Sequence, residues 1–72
     1  MINSVELKAE MIRHSISQEE LSRKIGLDPS TFSRKLNNKS AVFTVKEAQA
    51  IAGVLDLSSE QCAAIFFAQQ LA

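Results

Sequence analysis

The sequence predicts an all-α fold, a bundle of five short helices. Apolar residues recur three and four positions apart in five separate segments, and no segment alternates polar and apolar residues over a length that could pair as a strand. A Ser, Thr, Asn or Asp that can cap a helix precedes each segment. The connections are only a few residues long. We therefore expect residues 1–72 to form a single domain.

The first helix is predicted to begin after Asn3, with Glu6 as its capping partner, and to end near His14 and Ser15. A histidine at that end is a favourable charge for the helix dipole. The apolar stripe of this helix is expected to contain Val5, Met11 and Ile12, with Leu7 and the stem of Lys8.

Residues 17–36, SQEELSRKIGLDPSTFSRKL, predict two helices joined by a tight turn. Ser17 and Glu20 can cap the first of them, over Gln18–Ile25. Gly26, which has no Cβ, can take the positive φ that ends that helix. The residues expected to face the core of this unit are Leu21, Ile25, Leu27, Phe32 and Leu36.

The second helix of this unit is predicted over Pro29–Asn37, with Asp28 as its cap and proline at the first position, where a missing amide costs nothing. The side chains that it is expected to show to solvent or to a ligand are Ser30, Thr31, Ser33, Arg34 and Asn37. These two segments together have the spacing of a helix-turn-helix.

The remaining chain predicts two more helices. A polar loop, 38–40, precedes Ala41, Val42 and Phe43, which are expected to pin it to the core. A helix over Val45–Leu55 follows the capping pair Thr44 and Glu47, and a last helix runs from Ser59 to about Gln70 behind the pair Ser58 and Gln61. The expected core stripe of the fourth helix is Ala48, Ile51, Ala52 and Leu55.

The last helix carries more apolar surface than one core-facing stripe requires. One stripe contains Cys62, Ile65 and Phe66, and the other contains Ala63, Phe67 and Leu71. The surplus predicts a homodimer seam or a patch for another protein, with Phe67 and Leu71 in the interface. In the alternative interpretation both phenylalanines tuck inward and the alanines are simply good helix formers.

Eight basic and eight acidic side chains give a net charge of zero, whereas a strong DNA-binding domain is usually basic. The distribution is uneven. Residues 23–39 hold five basic residues and one acid, a local charge of +4, and residues 40–72 carry −2. The basic cluster therefore coincides with the helix-turn-helix, although an ordinary solvated surface is the alternative.

Enzymatic chemistry has no visible basis in the sequence. A single His14, a single Cys62 and no paired carboxylates in an apolar setting provide neither a catalytic triad nor a metal-ligand set. We expect no catalysis, no metal and no cofactor. One cysteine excludes an intrachain disulfide, and no membrane-spanning or signal segment is visible, so a cytoplasmic protein is expected.

Gln18, Ser22 and Gly26 stand at the spacing that is typical of the Cro and phage-repressor (XRE-like) superfamily, and the helix-turn-helix resembles that superfamily's. The resemblance implies a lambda-repressor-like DNA-binding fold. The stretches STFSRKLNNKS and FTVKEAQAIAGVLDLS, the closing IFF and the opening MINSVELKAE are similar to small phage proteins, specifically the modulator of repression of lactococcal temperate phages. That family acts together with the phage repressor.

The chain departs from the superfamily pattern in two places. Where base-reading residues often open the recognition helix, this chain has Pro29 and Ser30 behind the acidic Asp28. Where a branched apolar residue usually precedes Leu36, it has Lys35, whose stem is expected to pack while its amine points outward.

Two functions follow. In the first, the protein binds the phage repressor and modulates its operator binding in the lysis or lysogeny decision, with acids that pair with the repressor's arginines. In the second, it is a Cro-like repressor that binds operator DNA directly. The residues predicted to bind the repressor or DNA are Gln18, Ser30, Thr31, Ser33, Arg34, Lys35, Asn37, Asn38 and Lys39, and the acids are Glu19, Glu20 and Asp28.

Overall fold

A computed structural model describes residues 2–37 and 42–66, which fold into five helices. These are α1 (Ser4–Arg13), α2 (Gln18–Lys24), α3 (Pro29–Asn37), α4 (Val45–Leu55) and α5 (Ser59–Phe66). The described residues contain no strand, so the predicted all-α, five-helix fold is confirmed. The predicted end of the last helix near Gln70, and the interface residues Phe67 and Leu71, lie outside the described residues.

Side-chain caps start the helices as the sequence predicted. Asn3 Oδ1 accepts from the Glu6 amide and Ser17 Oγ from the Glu20 amide, both at 3.1 Å. The pairs at α4 and α5 are complete: Thr44 and Glu47 bond reciprocally, and so do Ser58 and Gln61. These bonds occupy amides at the first turns that have no partner within the helix. In α1 the Glu6 carboxylate bonds Arg13 at 3.4 Å.

The core forms around Phe43, which immediately precedes the cap of α4. Its ring lies 5.5 Å from that of Phe32 in α3 and 6.1 Å from that of Phe66 in α5. The expectation that Phe43 pins its segment to the core is confirmed, whereas Ala41 lies outside the described residues. The fully buried large side chains around it include Leu7, Leu21, Leu36, Ile51, Leu55 and Ile65.

The predicted apolar stripe of α1 is wrong in two of its members. Val5 and Ile12 are each 77% exposed, whereas Leu7 and Met11 are buried together with Ile2. At 100° per residue Leu7 and Met11 lie on one side of the helix and Val5 and Ile12 on the other, so both sides cannot face one core. Helix α1 therefore has two apolar sides, and only one of them packs inward.

A buried carboxylate joins α1 to α5. Glu10 is 3% exposed, and its Oε1 accepts from Arg13 Nη1 at 2.7 Å and from Gln61 Nε2 at 2.8 Å. The hydrogen bond and the charge of Glu10 raise the pKa of Arg13. The Asn3 amide also donates to the Ile65 carbonyl at 2.7 Å. The first and last helices are thereby held together by polar as well as apolar contacts.

None of the helices in residues 2–37 and 42–66 has the length and hydrophobicity that a membrane crossing requires. The same residues contain no group of three His, Cys, Asp or Glu side chains placed to hold a metal ion.

Candidate nucleic-acid interface

Helices α2 and α3 pack against each other, and a small residue of α2 is buried within this unit. Ser22 is completely buried, and its hydroxyl donates to the Glu19 carbonyl at 2.7 Å. The Leu27 amide donates to the Ser22 carbonyl at 2.8 Å, and Gly26 takes the predicted positive φ of 79°. Leu21 and Phe32 are fully buried beneath this turn. The helix-turn-helix is therefore a rigid unit that fixes the orientation of α3.

The outward side of α3 is polar, as predicted. Ser30, Ser33, Arg34 and Asn37 are exposed and Thr31 is half-buried. Arg34 Nη2 donates to Thr31 Oγ1 at 3.4 Å, and Asn37 Nδ2 donates to the Ser33 carbonyl at 3.0 Å. In the described part of the chain Arg34 forms no ion pair, so its guanidinium is available to an acceptor on a ligand.

The start of α3 is already occupied by an acid. The Asp28 carboxylate accepts from the Ser30 amide at 3.2 Å and from the Ser30 hydroxyl. The hydroxyl bond, then the amide bond, lowers the pKa of Asp28, and the charge of Arg34 lowers it further. Pro29 has no amide proton to offer. This helix end therefore presents a negative charge rather than free donors, which disfavours a phosphate at that point.

Two of the basic residues in the predicted cluster are paired with acids. Arg23 pairs with Glu19 along the exposed side of α2. Lys35 Nζ lies 2.7 Å from Glu47 Oε1, and the two side chains are only 19% and 16% exposed. The prediction that the Lys35 amine points outward is wrong, because the capping carboxylate of α4 lies beside it. Among the described residues of this cluster, Lys24 and Arg34 are the cations outside an ion pair.

Glu47 connects the recognition helix to the start of α4. Its Oε1 accepts from Lys35 Nζ at 2.7 Å and from the Thr44 amide at 2.8 Å. Burial alone would raise the pKa of Glu47, but the bonds from Lys35 and Thr44 outweigh it and leave the pKa lowered. The Glu47 carboxylate thus caps α4 and is also the counter-ion of Lys35 in α3.

This lowered pKa predicts an acid-dependent loss of stability. The contribution of Glu47 is fully present above its ordinary pKa of 4.5 and is lost as the pH falls through the lower, folded-state value, because the unfolded chain then binds more protons. Urea unfolding from about pH 7 to about pH 3 should show a shallower acid decline for Glu47→Gln than for the wild type. Parallel declines in the two proteins would contradict this assignment.

The remaining predicted site residues lie around the two helices. Gln18 is half-buried at the first position of α2, while Glu19 and Glu20 are exposed in its first turn. Asn38 and Lys39 lie outside the described residues. Lys8 was predicted only to contribute its stem to the apolar stripe of α1, but it is exposed, and its Nζ lies 3.5 Å from Asn37 Oδ1, which extends the polar surface from α3 onto α1.

Residues 6–61 match the model of the Cro/C1-type HTH DNA-binding domain, which covers most of the 72-residue chain. The chain belongs to this family. The match begins within α1 and ends within α5, so the Cro/C1-type domain coincides with the described bundle. No curated protein and no solved structure matches the chain significantly.

Membership in the Cro/C1-type family defines the general role of the protein. A helix-turn-helix DNA-binding domain is a module of transcription regulators, and its partner is DNA. The resemblance to the Cro and repressor superfamily is confirmed at this level.

Proposed function

We propose that this Cro/C1-type protein regulates a phage genetic switch by binding the phage repressor and altering its operator binding in the bacterial cytoplasm. The observation that carries the proposal is the acid at the start of the recognition helix. Asp28 occupies the first amides of α3, and Pro29 and Ser30 fill positions that often read bases. The N-terminal end of α3 is therefore poorly suited to contact phosphates and bases.

The charge of the helix-turn-helix surface supports a protein partner. Glu20 is exposed on α2, and the exposed Asp28 carboxylate lies at the start of α3. Glu19 is also exposed, but it is paired with Arg23. Arg23 and Lys35 are already neutralised by acids of the same chain. The DNA-binding surface of a repressor is basic, and opposite charges steer an encounter and fix its register. In the proposed mechanism the acids pair with the repressor's arginines and cover the surface that reads the operator.

Replacing Glu20 by lysine tests this mechanism, since the Glu20 side chain is exposed and its reversal leaves the core intact. We expect Glu20→Lys to weaken the complex with the cognate repressor by about tenfold or more, because a complementary charge becomes a repulsive one. Isothermal titration of purified repressor measures the loss. Glu60→Lys is the matched control, because Glu60 is an exposed first-turn acid of α5, outside the helix-turn-helix. Equal affinities for the two variants would contradict the mechanism.

Direct operator binding is the second candidate, and Arg34 is the observation that favours it. Its guanidinium lies on the outward side of α3 without an ion pair, and Lys24 is likewise exposed and unpaired among the described residues. An arginine in this position can contact guanine O6 and N7 with two hydrogen bonds. The Cro-like alternative therefore depends on Arg34 more than on any other described residue.

A titration of labelled switch-region DNA separates the two candidates. The protein is added alone and then with the repressor, at two salt concentrations. Saturable, sequence-dependent and salt-sensitive binding by the protein alone supports the Cro-like function, and Arg34→Ala should then cost about 1–3 kcal/mol of discrimination. No specific binding alone, together with a lost or altered repressor complex, supports the repressor modulator.

A further inference from the structure

An apolar groove of about 370 Å³ lies between α4 and α5, outside the helix-turn-helix. Ala48 and Ala52 line it from α4 and Ala63 lines it from α5, and these three short side chains leave the space between the helices open. None of the described residues that line the groove carries a charge. The groove is therefore suited to a large apolar side chain and unsuited to a charged group.

The residues that follow α5 have the chemistry and the place in the chain to fill this groove. Phe66 lines the groove, and Phe67 is the next residue along the chain. Residues 67–72, FAQQLA, contain two large apolar side chains, Phe67 and Leu71, and no charge. A segment that is covalently attached beside a groove competes for it at a high effective concentration, and any free partner must overcome that advantage.

Helical spacing selects Phe67 as the occupant. The sequence predicts that the last helix runs to about Gln70, and in such a helix Phe67 follows Ala63, a residue of the groove, by four positions. A long side chain in a helix leans toward the N-terminus and covers the preceding turn. The Phe67 ring would thus lie over Ala63, where the short side chain leaves room for it, and Leu71, four positions further on, would pack against the ring.

We propose that Phe67 occupies the groove between α4 and α5 of its own chain, with Leu71 packed behind it. The second apolar stripe of the last helix then completes the core of one molecule and is not a homodimer seam. A 72-residue domain has little apolar surface with which to build a core, so burying two more large side chains is a substantial gain for it. This packing does not depend on the proposed function, and it leaves partner binding to the helix-turn-helix.

The thiol of Cys62 reports whether the groove is filled, because Cys62 lines the groove, is half-buried and is the single cysteine of the chain. Alkylation of the full chain by N-ethylmaleimide, followed by mass spectrometry, gives the rate of its modification. We expect Phe67→Gln to raise this rate by about fivefold or more while the helical circular dichroism is retained, because the thiol becomes accessible without opening of the bundle. Ala64→Gln is the matched control, since it places the same residue at an exposed position of α5 that does not line the groove, and its rate should equal that of the wild type.

The dependence on protein concentration separates the chain's own Phe67 from that of a second copy. Because the proposed contact lies within one chain, the wild-type rate should be the same from about 10 µM to about 500 µM protein. A rate that falls as the concentration rises would overturn the proposal and assign the groove to a homodimer. Equal rates for the wild type and Phe67→Gln, or an equal increase in Ala64→Gln, would also overturn it.

The contact can also be tested in the wild type, without any substitution. Nuclear Overhauser effects are expected between the ring protons of Phe67 and the methyl groups of Ala48 and Ala52. Their absence would overturn the proposal even where Phe67→Gln fails to fold.

Discussion

Phe43→Ala is expected to lower the free energy of unfolding by about 3–5 kcal/mol, the largest effect of any single substitution considered for this chain. Phe43 is fully buried and its ring lies between those of Phe32 and Phe66, at 5.5 and 6.1 Å. Removing the ring takes away apolar burial and opens a cavity between α3 and α5. A 72-residue domain has a total stability of only about 4–11 kcal/mol, so a large share of it is lost.

Urea unfolding followed by circular dichroism measures this loss. Phe43→Leu should cost much less, because it keeps most of the buried volume. Val45→Ala, at a 42% exposed site two residues on, is the surface control and should stay within about 0.5 kcal/mol of the wild type. A cost below about 1 kcal/mol for Phe43→Ala would mean that the aromatic cluster does not hold α3 against the bundle.

The helices themselves could be predicted because the signals that specify them are local. Four of the caps bond an amide three residues ahead, as Ser17 does with Glu20 and Thr44 with Glu47, and Asp28 bonds the Ser30 amide two residues ahead. Each pair is therefore visible in a short window of sequence. The turn before α3 is equally local, since Gly26 must supply the positive φ. The inward-facing Phe32 and Leu36 follow from their spacing alone.

The errors arose where tertiary packing decides between local alternatives. In α1 the spacing of Val5 and Ile12 is as regular as that of Leu7 and Met11, and only the neighbouring helices determine which side is buried. Periodicity shows that an apolar side exists and does not show that it is covered. For the same reason the burial of Glu10 was not foreseen, because its partner Gln61 is 51 residues away along the chain.

The candidate site shows the same division between local and distant information. The outward polar residues of α3 follow from the phase of its buried residues, and the structure confirms their exposure. The local charge of +4 was obtained by counting residues 23–39, and such a count does not show which of the basic side chains are paired with acids. Arg23 and Glu19 lie on one helix, whereas Lys35 pairs with Glu47 from the next helix. The spacing within α3 predicted which of its side chains are exposed, whereas the count of basic residues overestimated the unpaired positive charge around them.

Glu47→Ala is expected to lower the free energy of unfolding by about 2–4 kcal/mol, a large cost for a polar residue. The substitution removes the acceptor for the Thr44 amide. It also leaves the Lys35 ammonium without its counter-ion, although the Lys35 side chain is only 19% exposed. The second effect depends on Lys35, so it should disappear when the lysine is also changed. Lys35→Met alone should cost less, because Glu47 keeps its role as a cap and no cation is stranded.

A double-mutant cycle in urea separates the two roles of Glu47. The cost of Lys35→Met with Glu47→Ala should be smaller than the sum of the single costs by about 1–2 kcal/mol, the signature of residues that contact each other. Because Lys35 lies in α3 next to Arg34, the cycle also reports whether α4 holds the recognition helix in place. If the costs of the two substitutions add exactly, Glu47 acts only as a helix cap. Phe32, Leu36 and the turn at Gly26 would then determine the orientation of α3.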